Sequence, residues 1–249
     1  MTAATVVPGS RASRHSVAVG SRKVRQLQRC PLFRSISDVT LRRILEYARV
    51  RPASRGGFYF RQGDQPVEIY VLLRGRVQLI RSGSGDRRAI LGFVTPVEPF
   101  GYEDALGGSG HMVSAQASED SAALAWPAAV LVRILTDHPV IAHNSFCLMA
   151  ARIQEKWDRL HGMLTESLER RVARALLSLG ATIGRRVEGS PAVRVMLAHR
   201  DLAAFVGATP YTTSRILSRW KRLRLIDGGR GWLTLWPRGL AAIAGDRRK

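Results

Sequence analysis

The residues with the strongest chemical character cluster near the C-terminal end. Arg215, Arg219, Lys221, Arg222 and Arg224 follow one another closely, and no Asp or Glu occurs between Asp201 and Asp227. A solvated helix face would mix signs. A run of one sign repels itself, so its charge must be met from outside the fold. Duplex DNA does this by releasing condensed counterions as cations reach its phosphates. Ahead of the run stand Thr209, Pro210, Tyr211, Thr212 and Ser214. With Arg215 they would form the N-terminal part of a recognition helix, the part that points at base edges. Arg215 fits the bidentate contact to guanine, worth ~1–3 kcal/mol of discrimination. Thr209 fits an N-cap, from which a backbone N–H can reach a phosphate. Arg219, Lys221 and Arg230, the last in a following glycine turn, complete the expected DNA-binding set.

Other chemistries are poorly served. The two cysteines, Cys30 and Cys147, cannot build a disulfide framework or a site of four thiolates. The histidines (His15, His111, His138, His143, His161 and His199) nowhere pair as His-x-His or at i, i+4, which argues against a metal enzyme. Haem needs only one His and a second axial ligand, so His111, His143 and Cys147 stay open as candidates, with a packed or solvated role preferred for each. Glu103-Asp104 have no Cys or His base nearby in sequence, and we read them as loop capping or effector contact, not acid–base catalysis. The glycines at 83 and 85 match no phosphate-loop spacing. No catalytic constellation and no metal site emerge.

The composition agrees. The chain has 249 residues, with 39 Lys+Arg against 19 Asp+Glu, a formal charge of +20. So basic a chain is expected to meet a polyanion. No apolar run reaches the length of a membrane span; Ala122 to Leu135 is interrupted by Trp126-Pro127 and Arg133. The expected location is cytoplasmic, with no membrane partner. The first 37 residues hold no acid but seven bases. Such a segment can be a transit peptide, a basic arm or an overlong start; we read residues 1–24 as a basic flexible arm.

Several elements must position the basic helix. Asp201 to Val206 reads as a helix, Gly207-Ala208-Thr209 as a turn, and Pro210 to Leu223 as a second helix: a helix-turn-helix with Leu202, Ala203, Val206, Ile216 and Leu217 inside. Leu225 to Leu235, turned by glycines, reads as a hairpin, or wing. Upstream, Phe146, Ala150, Ile153, Trp157, Leu160 and Leu164 step by 4, 3, 4, 3 and 4. This stripe could lie on its own domain, but its polar flanks make it narrow, which suits a self-pairing dimer helix. Between residues 53 and 126, short β-rich runs alternate with glycine turns, as in an antiparallel sandwich or barrel. A helix capped by Ser37-Asp38 precedes them and should stop before Arg51-Pro52.

In this order the chain resembles the cyclic-AMP receptor protein / fumarate-nitrate regulator (CRP/FNR) family of bacterial transcription factors. The matching stretches are Phe58 to Asp64, Ile69 to Val77, Phe100-Gly101, Asp201 to Gly207 and Thr213 to Leu217. The resemblance spans about residues 31–240. It implies an α+β chain: a β-roll effector domain over 25–135, a dimerisation helix over 136–165, and a winged helix-turn-helix over 166–249. The implied partners are a second copy of the chain, a two-fold palindromic duplex, a small-molecule effector, and RNA polymerase if the protein activates.

The resemblance also implies an effector pocket at Phe100, Gly101, Tyr102, Glu103, His111, Met112 and Ser114. Cyclic-AMP binders of the family carry Phe-Gly-Glu there and, about ten residues on, an Arg for the phosphate. Here Tyr102 follows Phe100-Gly101, and the stretch 108–115 has no Arg. A cyclic phosphate needs a cation or a nest of N–H groups, so the departure points away from cyclic AMP. The family's iron–sulfur sensors need more cysteines than two. A haem-based gas sensor of the same fold and a ligand-independent DNA-binding factor remain the alternatives. Pro210-Tyr211 stand where many relatives have Arg-Glu, so the half-site is expected to differ from the common family sequence.

Overall fold

A computed structural model describes residues 21–83, 88–108, 110–229 and 231–245. A helix over 21–28 (α1) begins inside the stretch expected to be a flexible arm, because Val24, Leu27 and Cys30 are buried. The remainder of that arm lies outside the described residues. The helix α2 (Asp38–Glu46) follows, with Ser37 accepting from the Thr40 N–H as N-cap. It ends sooner than Arg51-Pro52 required, since Arg49–Ala53 is recruited into a strand (β1) that pairs with β8 (Ser121–Pro127). As an edge strand, β1 tolerates Pro52.

Two four-stranded antiparallel sheets form the roll. One has the order β1-β8-β3-β6, with β3 at Glu68–Arg74 and β6 at Pro99–Phe100. The other runs β2-β7-β4-β5, with β2 at Phe58–Phe60, β4 at Val77–Ser82, β5 at Arg88–Val94 and β7 at Ser114–Ala117. The turn expected around Ser84 to Asp86 lies outside the described residues.

The strands β3 and β8 look uniformly apolar because both of their faces are covered. Ile69, Val71, Leu124 and Trp126 face a helical layer, while Tyr70, Leu72, Ala123 and Ala125 face the second sheet. A period of two splits each strand between two cores. Small residues at 115, 123 and 125 leave room for the rings of Tyr59, Phe60, Tyr70 and Phe100.

The helical layer contains α1, α2, α3 (Tyr102–Gly107) and α4 (Ala128–Asp137). The Trp126 indole N–H donates to the Ile44 carbonyl at 2.8 Å, joining sheet to helix. Pro139 then opens the long helix α5 (Pro139–Thr165). Asn144 ties it back through donors to the Leu32 and Arg34 carbonyls.

The C-terminal unit has its own core. It comprises α6 (Leu168–Ile183), a sheet in the order β11-β12-β10-β9, then α7 (His199–Val206), α8 (Pro210–Arg222) and α9 (Pro237–Ala244). The strands are β9 (Arg185–Arg186), β10 (Val193–Val195), β11 (Ile226–Gly229) and β12 (Trp232–Leu235). Val172, Leu176, Leu202, Leu217, Trp220, Leu233 and Leu240 meet at its centre.

Candidate DNA-binding interface and effector site

The helix-turn-helix is set by three local features. Asp201 lies in the first turn of α7, where a carboxylate complements the helix dipole. Gly207 caps α7 in the left-handed region, at φ 68°, which a side chain would strain. Thr209 caps α8, its hydroxyl accepting from the Thr212 N–H at 3.1 Å, and Pro210 takes the first helical position.

The inner face of α8 buries Thr213, Ile216, Leu217 and Trp220. The opposite face is therefore fixed. Tyr211 is 73% exposed, and Arg215, Ser218 and Arg222 follow it outward at helical spacing. The Arg215 guanidinium lies 5.9 Å from the Tyr211 ring centroid. Among the described residues no acid forms an ion pair with Arg215, Arg222 or Arg224. Pro210 is exposed, and Thr212 and Ser214 are half-buried at the flank.

Arg219 and Lys221 behave differently from that face. Arg219 makes a two-pronged contact with Glu169 of α6, at 2.8 and 3.2 Å. Lys221 bridges Asp227 at 3.0 Å and the Gly228 carbonyl at 3.1 Å. The acids that neutralise them come from α6 and from the hairpin, outside the acid-free run. Arg230 lies outside the described residues. Ser218 and Arg222 were absent from the expected set, although i+3 and i+7 steps from Arg215 reach them.

In the roll, Phe100, Gly101 and His111 meet around Phe60, Tyr102 and Ser114 are buried, Glu103 is half-buried, and Met112 is exposed. Phe100 packs in the ring cluster, 5.0 Å from Tyr70 and 5.3 Å from Tyr59. Gly101 sits at φ +77°, and a Cβ there would meet the Phe60 ring at 2.9 Å. Tyr102 is buried with its hydroxyl unpartnered among the described residues, and burial raises its pKa above the ordinary phenol value. The ring of His111 stacks on Phe60 at 3.6 Å, and its Nδ1 lies 2.9 Å from Asp104. Ser114 accepts from the Gln62 N–H at 2.9 Å.

Glu103-Asp104 thus sit on the first turn of α3 instead of a loop, and both are engaged: Glu103 pairs with Arg152 of α5, and Asp104 with His111. Arg152 also donates to the Pro99 carbonyl at 2.7 Å and lies over the Tyr102 ring. Only tertiary contact could have revealed Arg152, since it comes from a helix fifty residues downstream.

On α5 the stripe Phe146, Ala150, Ile153, Trp157, Leu160 and Leu164 is exposed throughout, with Leu164 at 78%. His143 and Cys147 lie together near its start, Nε2 to Sγ 3.5 Å. The other side of α5, where Glu155, Arg159, Gly162 and Glu166 follow one another, faces a cleft of about 170 Å³ shared with α6 and α7. No described helix is long and apolar enough to cross a membrane.

A β-roll of cyclic-nucleotide-binding type, joined by a long helix to a winged helix-turn-helix, defines a class: transcription regulators that bind DNA. Sequence comparison makes this specific. Residues 50–138 match the cyclic nucleotide-binding domain, and residues 170–243 match the Crp-like helix-turn-helix domain. The cyclic AMP receptor protein of Thermus thermophilus is 31% identical over 187 residues, covering 75% of this chain and 83% of that protein. The transcriptional activator protein Anr of Pseudomonas protegens is 26% identical, covering 79% and 81% respectively. The structure of FixK2 from Bradyrhizobium japonicum shares the fold, with TM-score 0.69, 21% identity, and coverage of 79% of this chain and 96% of that one. The chain belongs to the CRP/FNR family of transcriptional regulators.

Proposed function

We propose that this regulator binds, as a homodimer, a two-fold palindromic duplex, and that its β-roll responds to an effector other than cyclic AMP. The acid-free outward face of α8 carries this reading. Tyr211, Arg215, Ser218 and Arg222 offer a bidentate cation, hydroxyls and an aromatic edge, with Thr209 and Pro210 at the helix start beside the phosphates. Arg215 reads guanine, and Arg222 meets the backbone. Two such helices must lie about 34 Å apart to enter successive major grooves.

Pairing of the α5 stripe supplies that geometry. Six seam residues that are exposed among the described residues support it, as an apolar stripe of this period is stabilised by pairing with another helix. The effector acts by population shift, through greater affinity for one dimer geometry. An activator of this kind would also contact RNA polymerase.

The roll fits a cyclic nucleotide poorly. Phe100 and Tyr102 are committed to packing, His111 to Phe60 and Asp104, and Arg152 to Glu103. No described Arg is left for a phosphate in the segment 108–115. That same filling favours a second reading within the class, a factor that needs no effector. For haem, the face of His111 is taken by Phe60, and His143 and Cys147 lie outside on α5.

Selection of the purified protein on random-sequence duplex tests the reading. A palindrome with half-sites 10–10.5 bp apart should emerge, and added cyclic AMP should leave the affinity unchanged. Lack of enrichment over random competitor would overturn DNA recognition; a large gain with cyclic AMP would overturn the effector assignment.

A further inference from the structure

The face of α5 opposite the seam carries an arginine with an unusual set of partners. Arg159 lies two positions beyond Trp157, about 200° around the helix, so it points back into its own chain. Its guanidinium donates to the carbonyls of Leu91 and Ile90 on β5, both at 3.0 Å, and to the carbonyl of Phe205 on α7. It also lies over the Phe205 ring, 4.0 Å from the centroid. Among the described residues no carboxylate forms an ion pair with it. Burial lowers its pKa, against a smaller opposing effect of the Glu155 charge, and its hydrogen bonds go to neutral carbonyls.

These partners join three parts of the molecule. The strand β5 is at the edge of its sheet, with carbonyls that have no further strand to meet. Phe205 and Val206 end α7, where the last carbonyls of a helix lack internal donors. Arg159 caps one of them, and Arg171 of α6 donates to the Val206 carbonyl at 3.1 Å. Directly after these residues come Gly207, Ala208 and the first turn of α8. Two further contacts hold α7 on the roll: Arg88 to Asp201 at 2.5 Å, and the Phe93 and Phe205 rings at 5.9 Å. None of them covers the outward face of α8.

We propose that Arg159 is a positioning residue for DNA recognition: its planar fork fixes the angle of the helix-turn-helix on α5 and on β5, and so fixes the separation of the two recognition helices in the dimer. The inference rests on the dimeric DNA-binding reading above. A fork matters here because Lys, a point charge with no planar donor array, cannot span carbonyls on separate elements in fixed directions. Displacement of β5 would be transmitted to α8 through this side chain, independently of the seam.

Half-site spacing is the readout, since a merely stabilising residue would not alter it. Wild type, R159A and R159K are each selected on random duplex libraries, and the half-site sequence and spacer length are scored separately. Wild type should show one spacing. R159A and R159K should keep the half-site sequence, broaden the spacer distribution, and bind the wild-type palindrome on the order of tenfold more weakly. Retention of one spacing and wild-type affinity by R159A overturns the inference, and full rescue by R159K overturns the role of the fork. If the Arg159 variants do not fold, the pair Arg88→Asp and Asp201→Arg decides: each single change should broaden spacing and the double change should narrow it again, while three unchanged distributions refute positioning by the docked α7. Wild type that selects no duplex overturns the reading beneath.

Discussion

The outer face of α8 and the interior of the β-roll treat their polar and aromatic residues in opposite ways. On α8, Tyr211, Arg215 and Arg222 stand in solvent with no carboxylate partner among the described residues. In the roll, Phe100 and Tyr102 are fully buried, His111 is stacked and hydrogen-bonded, and Glu103 is paired. One surface keeps its capacity for outside partners. The other has spent much of its own inside the chain, so family position alone does not make it a binding site for the family's usual ligand. Exposed guanidinium groups are hydrated and stay available to a polyanion, whereas buried aromatic rings satisfy one another at contact distance.

Breaking the pairing scaffold should have the largest effect. The double change I153D/L160D should yield monomers by sedimentation and lower affinity for a full palindrome about 10²–10⁴-fold, the usual gain from linking two sites. An unchanged sedimentation coefficient would show that the stripe does not hold two copies together. Next is the filled roll. Phe100→Ala should cost ~3–5 kcal/mol in chemical denaturation, as for other buried aromatics, while the folded fraction keeps its DNA preference. Unchanged stability would show that the ring of Phe100 is not a packing element of the roll core.

Arg215→Ala should cost ~1–3 kcal/mol of binding and relax selection at one base pair per half-site. Arg219→Ala should have a smaller and sequence-independent effect, since that side chain is held by Glu169 and an exposed pair contributes ~0–1 kcal/mol. Equal losses would erase the distinction between free and paired cations. The smallest effect concerns the thiols. Burial pushes Cys30 up to about 12, whereas Cys147 is exposed. A thiol reagent near pH 8 should therefore modify one cysteine quickly and the second only on unfolding. Two fast equivalents would show that the core around Cys30 opens.

Much of the fold was legible because it depends on local periodicity and local caps. The helix-turn-helix followed from Gly207, Thr209-Pro210 and apolar spacing, and the strands β2 to β5 and β8 from short apolar runs between turns. The short strands β6, β7, β9 and β10 and the helix α9 were missed, since two to eight residues carry little periodic signal and their pairing is set by distant neighbours. The strand β1 was hidden behind a helical start and a proline. Among site residues, Tyr211 and Arg215 on the outward face of α8 were expected, whereas Ser218 and Arg222 on the same face were not.

The sequence by itself determined that a cationic, acid-free helix would stand at the end of a helix-turn-helix, and that an apolar stripe of period 3.5 would run along a long helix. Both are properties of neighbours in the chain, and helical geometry alone converts them into faces. Tertiary structure decided which charges remain available. Glu169 reaches Arg219 from fifty residues away, Arg152 meets Glu103, and Arg159 gathers carbonyls from β5 and α7. Such partners are brought together only by the packing of whole elements, so no spacing in the sequence announces them.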